Sequence, residues 1–384
     1  VAVAIVLLPW LPWAPDLYVH LIWCWEVMRC TADAQLPVWL PDLNAGFGSP
    51  GIRLYSPLGP VLAGWLGFGL GDAGRGLRAA ALLAVVGVLG VAWFRGTRGA
   101  PSSRLALGVA VLVSPMLVFS LFGRTAWSEF LAVPLMWWVL ERSIEGRINV
   151  VREAVIVALL WLMHLPTALM TGCLVAACLA WRRSSQPALR MALVAVVAAG
   201  LTAWHWLPLV DETARIGSGE TLSSGIFEPA RNVLGSTSAH APVANAWLSW
   251  VAVMVLLSVL VARTWRESRL RTALIIACVV LASPLAVFIW RLPTPLQLLQ
   301  FPSRWLLPAT ALLIPAVVGR GSRRALALAC VLVPSLFVPG VDFVRVPRIQ
   351  HDAGWQEVGP ALTEAIGSNP LLVDAVQNRP PSYR

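Results

Sequence analysis

Long apolar stretches recur along this chain, and no other feature of its sequence constrains the fold as strongly. Between Val1 and Val341 many of them come close to the roughly 17–25 residues that a helix needs to cross a hydrocarbon layer. Mean hydropathy is +0.73 and only 12% of residues are charged, against about 25% in an ordinary water-soluble domain. The short segments of alternating polarity that mark a transmembrane β-barrel are missing. The expected fold class is therefore an all-α polytopic membrane protein, with one membrane domain over residues 1–341 and a short extracytoplasmic tail over residues 342–384.

Eleven crossings are expected, at about 1–14, 77–94, 104–121, 126–141, 151–165, 166–181, 187–209, 244–262, 270–290, 304–319 and 324–341. The run opening at Val1 is expected to be a crossing rather than a cleaved signal, because no small-residue cleavage site precedes Asp16. The segment Leu54–Gly71 is broken by Pro57, Gly59 and Pro60, so it is expected to lie along the outer interface as a juxtamembrane helix. His164 and Pro166 interrupt the pair 151–165 and 166–181, which reads as two short crossings or as one crossing and a broken, partly re-entrant helix.

The formal net charge is +10, and every basic residue is an arginine. The arginines gather between apolar segments, as in Arg95/Arg98/Arg104, Arg182/Arg183/Arg190, Arg263/Arg266/Arg269/Arg271 and Arg320/Arg323/Arg324. Such spacing is a topology signal, not a nucleic-acid footprint, and no nucleic-acid partner is expected. It places the N-terminus in the cytoplasm and the C-terminus outside, with most acidic residues in exterior loops 11–53 and 210–243 and in the tail. Cys24 and Cys30 share the first loop, which leaves a disulfide open. The other cysteines in apolar runs read as packing residues.

Five residues carry candidate chemistry. Asp16 follows the first apolar run with His20 four positions on; this is either an ordinary helix cap at an interface or a catalytic and substrate-binding pair. Glu129, in "FGRTAWSEF", is expected to be the one acid inside a crossing, either paired locally or lining a pocket. His164 either fills the helix break or stands in a polar pocket. Arg304, in "LLQFPSRWLLP", either snorkels to the interface or clamps a phosphate.

The stretches "DLYVH", "LPVWLPDLNAGFGSPGIRLYSPLGPVLAG", "GRTAWSEFLAVPLM", "HLPTALM" and "QFPSRWLLP" resemble polytopic glycosyltransferases of the GT-C type. The nearer likeness is to bacterial membrane proteins labelled 6-pyruvoyl-tetrahydropterin synthase-related. That resemblance implies a multi-pass protein of the bacterial cytoplasmic membrane that moves a sugar from a polyprenyl-phosphate donor to an extracytoplasmic acceptor. Asp16 would be the catalytic acid–base group, with His20, Glu129, His164 and Arg304 binding substrate. The class often pairs two acids in its first loop, whereas here Asp16 is followed by His20, which leaves a divalent metal open. Other expected partners are membrane lipids and a membrane-protein complex. The alternative function is a noncatalytic lipid-binding or accessory subunit, and a transporter is a third reading. Pterin chemistry is disfavoured because no soluble His-rich zinc site is present.

Overall fold

A computed structural model describes residues 10–13, 16–37, 56–95, 101–112, 114–124, 126–213, 233–236, 248–253, 268–292, 301–318 and 342–345, with a few isolated positions besides. The chain divides into two compact units. One comprises Val1–Leu82, Arg124–Trp127 and Gly340–Arg384; the other comprises Leu83–Gly123 and Ser128–Pro339.

In the first unit, strand β1 (Trp10–Trp13) pairs antiparallel with β2 (Asp342–Arg345), in the register Trp10 opposite Arg345 and Trp13 opposite Asp342. Helix α1 (Asp16–Ala32) packs against α2 (Leu58–Leu70). Glycines permit the close approach: a Cβ on Gly64 would run into Val27, and one on Gly67 would come within 2.8 Å of Met28 Sδ. Val27, Leu40 and Ile52 form an apolar cluster covered by Trp23 and Val61. Gly71 ends α2 in the left-handed region, at φ 65°, where an L side chain would be strained. Asp72 then accepts a hydrogen bond from the Arg75 amide at 2.7 Å, so its carboxylate caps the start of α3 (Ala73–Arg95).

In the second unit, α4 (Pro101–Leu112) leads through a one-turn helix, Pro115–Val118, into a π-helical turn, Phe119–Gly123. Gly108 of α4 lies against Leu89 and Ala92 of α3. Helix α5 (Trp127–Glu145) is covered on nearly every side, with Ala132, Val133, Met136, Trp137 and Leu140 fully buried. The ring of Pro134 on α5 faces Gly87 of α3, where a Cβ would stand 3.0 Å from Pro134 Cγ. After α5 come α6 (Val150–Met163), α7 (Leu165–Arg182), α8 (Ser185–Leu201) and α9 (Ala203–Thr213), then α10 (Arg269–Ala282) and α11 (Leu306–Val318).

The helices correct the expected topology. Among the described residues, only Ala73–Phe94 and Leu165–Arg182 are long and apolar enough to cross a membrane. The number rises to at most 4 if α8 with Ala203–Val210, bent by 77°, and α10 with Pro284–Trp290, bent by 81°, are each one span. The eleven-crossing polytopic fold class and the multi-pass location in the bacterial cytoplasmic membrane are therefore overturned. The reasons are local. Expected crossing 126–141 is α5, which carries Glu129, Glu141, Arg142 and Glu145. Expected crossings 151–165 and 304–319 shorten to helices of 14 and 13 residues, or about 20 Å of rise, short of the roughly 30 Å of a hydrocarbon core. Part of expected crossing 1–14 is strand β1. Expected crossing 324–341 lies outside the described residues, as do most of 244–262, of the loop 210–243 and of the tail.

Candidate functional site: a buried Glu129–Arg304 pair

The second unit draws two of the sequence candidates together. The π-helical turn carries Ser120, the first turn of α5 carries Glu129, and a 3-10 turn at Pro302–Trp305 carries Arg304. Ser120 Oγ donates to Glu129 Oε1 at 2.7 Å, and Arg304 Nε lies 3.3 Å from Glu129 Oε2. Arg304 Nη1 donates to the Leu299 carbonyl at 2.8 Å, and its guanidinium stands 5.1 Å from the centre of the Phe301 ring. Ser120 and Glu129 are fully buried and Arg304 is 3% exposed. A π-helical turn widens the backbone by one residue and recurs at functional positions; here it aims Ser120 at the carboxylate. The guanidinium is thus committed inward, to a carboxylate, a carbonyl and an aromatic face.

Two further clusters hang on α5, and the sequence reading missed both. Arg271 of α10 grips Glu141 with two hydrogen bonds, at 2.5 and 2.9 Å, and reaches the Leu312 carbonyl of α11 at 3.2 Å. Glu153 of α6 accepts from Arg152 at 2.8 and 3.0 Å and from Trp138 Nε1 at 3.3 Å, with Arg142 Nε at 3.6 Å. Burial alone would push the Glu153 carboxyl up, but the Arg152 and Trp138 hydrogen bonds and the arginine charge hold it below the usual carboxylate range. The expectation that Glu129 is the one acid inside a crossing is corrected: Glu141 and Glu153 also fall within expected crossings 126–141 and 151–165, and both are buried. The available signal was the alternation of acids and arginines in "ERSIEGRINVVRE".

His164 sits between α6 and α7 in an extended conformation. Its Nδ1 accepts from the Thr167 amide at 3.3 Å and lies 2.7 Å from Thr167 Oγ1, so the ring caps α7 where Pro166 begins it. His205, absent from the candidates, is fully buried and accepts at Nδ1 from Trp161 Nε1 at 3.2 Å.

Asp16 and His20 belong to the first unit. Asp16 is the first residue of α1, and His20 is buried, with its ring edge-on to Trp23 at 5.9 Å. Cys24 and Cys30 are both buried and are not joined in a disulfide, a pairing the sequence leaves open. Burial, with the charge of Asp72, pushes the Cys24 thiol far up, and its Sγ donates to the Ala73 carbonyl at 3.4 Å. Among the described residues, no group of three His, Cys, Asp or Glu side chains could hold a metal ion.

By its described geometry this is a helical protein whose second unit is knit by buried arginine–carboxylate pairs. No family model matches the chain, and neither does any curated protein or any solved structure. The resemblance to GT-C glycosyltransferases and to 6-pyruvoyl-tetrahydropterin synthase-related membrane proteins is corrected on that ground: its diffuse apolar stretches find no counterpart.

Proposed function

We propose that this protein is a noncatalytic, lipid-binding component that lays acyl chains along α8. The observation that carries this reading is the outer face of that helix. Leu189, Leu193, Val196, Val197 and Leu201 are exposed at three- and four-residue spacing, and Val196 keeps 69% of its surface open. On the opposite face Met191, Val194 and Ala198 are buried. Apolar stripes of this kind mark contact with another apolar phase. The helix has 17 residues, or about 25 Å of rise, a length along which an acyl chain can lie. Exposed tryptophans stand at both ends, Trp181 just before it and Trp204 just after it, where amphipathic rings favour a boundary between chains and water.

Sugar transfer from a polyprenyl-phosphate donor, the activity expected from the sequence, finds less support in this geometry. It assigns Arg304 to a leaving phosphate, and the guanidinium is instead held on Glu129. Native mass spectrometry of protein purified in mild detergent tests the proposal. Wild type should retain phospholipid, and Val196→Asn with Leu193→Asn should retain less while remaining folded. Release of polyprenyl phosphate from a lipid-linked sugar donor by the purified protein would overturn the noncatalytic reading.

A further inference from the structure

One end of the second unit collects arginines from several helix termini. Arg182, at the end of α7, donates to the Ile144 carbonyl in the last turn of α5. Arg142 of α5 reaches Glu153 of α6 at 3.6 Å, and Arg271 of α10 grips Glu141 of α5. These contacts bring the end of α5, the starts of α6 and α10 and the α7–α8 turn to one place. Exposed there are Arg147, Arg182, Arg183, Arg190 and Arg269. Among the described residues the acids at the same end are engaged: Glu141 and Glu153 are buried in their arginine pairs, and Glu145 meets Arg142 at 3.5 Å.

We infer that this arginine collar docks the phosphate headgroups of anionic phospholipid, whose acyl chains run along α8. The inference rests on the lipid-binding reading and adds the headgroup class and the end of the unit that receives it. Charge complementarity selects an anion, since clustered arginines beside a lipid surface each favour negative headgroups. The border of the collar selects a lipid over a nucleic acid. Trp181 precedes Arg182 in the chain, and Leu189, 64% exposed, precedes Arg190, so exposed apolar side chains, which a polyanion in water would leave wetted, belong to the same end of the unit as two of the five charges. Arginine forks also match phosphate oxygens in pairs, while their stems cover apolar surface.

The experiment titrates phosphatidylglycerol or phosphatidylcholine into the full chain in nonionic detergent, with bound lipid read by native mass spectrometry. Phosphatidylglycerol should bind more tightly, and the preference should shrink as salt rises. Arg183→Gln, Arg190→Gln and Arg269→Gln should each weaken it by about fivefold and weaken phosphatidylcholine, whose phosphate is neutralised by its own ammonium, by less. Equal binding of the two lipids would overturn the headgroup inference while leaving the lipid-binding reading in place. Retention of neither lipid would overturn both. Tighter binding of a single-stranded oligonucleotide than of phosphatidylglycerol, lost in the same variants, would overturn the choice of a lipid headgroup.

Discussion

Arg304 Nε lies 3.3 Å from Glu129 Oε2 in a site where both side chains are almost wholly buried. The pair ties the 3-10 turn before α11 to the first turn of α5, and Ser120 on the π-helical turn completes the carboxylate's contacts. Charges taken out of water gain little from pairing compared with well-packed apolar groups, but removing one partner strands the other.

The stranded charge gives the first expected outcome. Glu129→Leu should destabilise the second unit by about 3–5 kcal/mol, and Arg304→Met by a similar amount. The double variant Glu129→Leu/Arg304→Met should recover most of that loss, because no isolated charge remains. Denaturant unfolding of the three variants measures the coupling. Simple additivity of the single losses would mean that the two residues act independently.

Acid should loosen the α5–α6 connection through Glu153. Its carboxyl is held below the usual value of 4.5, so its contribution to stability is fully present above that value. The contribution fades as pH falls from there through the lower folded value. Unfolding midpoints followed from neutral pH downward should drop in wild type, and the drop should be shallower in Glu153→Gln. Identical pH profiles would show that the Arg152 and Trp138 contacts do not favour the ionised form.

Two glycines of α2 should respond oppositely to alanine. At Gly64 a Cβ would collide with the β-branched Val27 of α1, so Gly64→Ala should cost about 1–3 kcal/mol through overpacking. At Gly69 a Cβ would meet nothing within 4 Å, so Gly69→Ala should be neutral or stabilise by up to about 1 kcal/mol. Thermal unfolding of the pair, with Val27→Ala added to Gly64→Ala as a rescue, separates a steric clash from a general loss of helix.

Much of the helical layout was legible in the sequence. The expected crossing 77–94 corresponds to α3, Ala73–Arg95, and 166–181 corresponds to α7, Leu165–Arg182. The segment Leu54–Gly71 contains α2, Leu58–Leu70, and ends at the glycine that closes it. These boundaries are local, set by apolar runs and by residues such as Gly71, His164 and Pro166 that stop or start a helix. Of the site, the residue types could be picked out, but their partners could not. Glu129 and Arg304 were singled out separately, while Glu141, Arg271 and His205 were passed over because each is defined by a contact with a distant part of the chain, and Ser120 because only the π-helical turn aims it at Glu129.

The sequence by itself determined where the chain becomes helical and where its arginines gather, since both follow from neighbouring side chains. Only the tertiary structure decided what covers each apolar helix. α5 is apolar because other helices surround it, whereas α8 turns one stripe outward. A hydropathy profile sums local transfer tendencies and assigns both the same meaning, which is why eleven crossings were read from it. The pairing of Trp10–Trp13 with Asp342–Arg345 and the inward turn of Arg304 onto Glu129 were decided at the same level. A backbone ladder or an ion pair between remote segments depends on the folded path that brings them together, and no local pattern encodes that path.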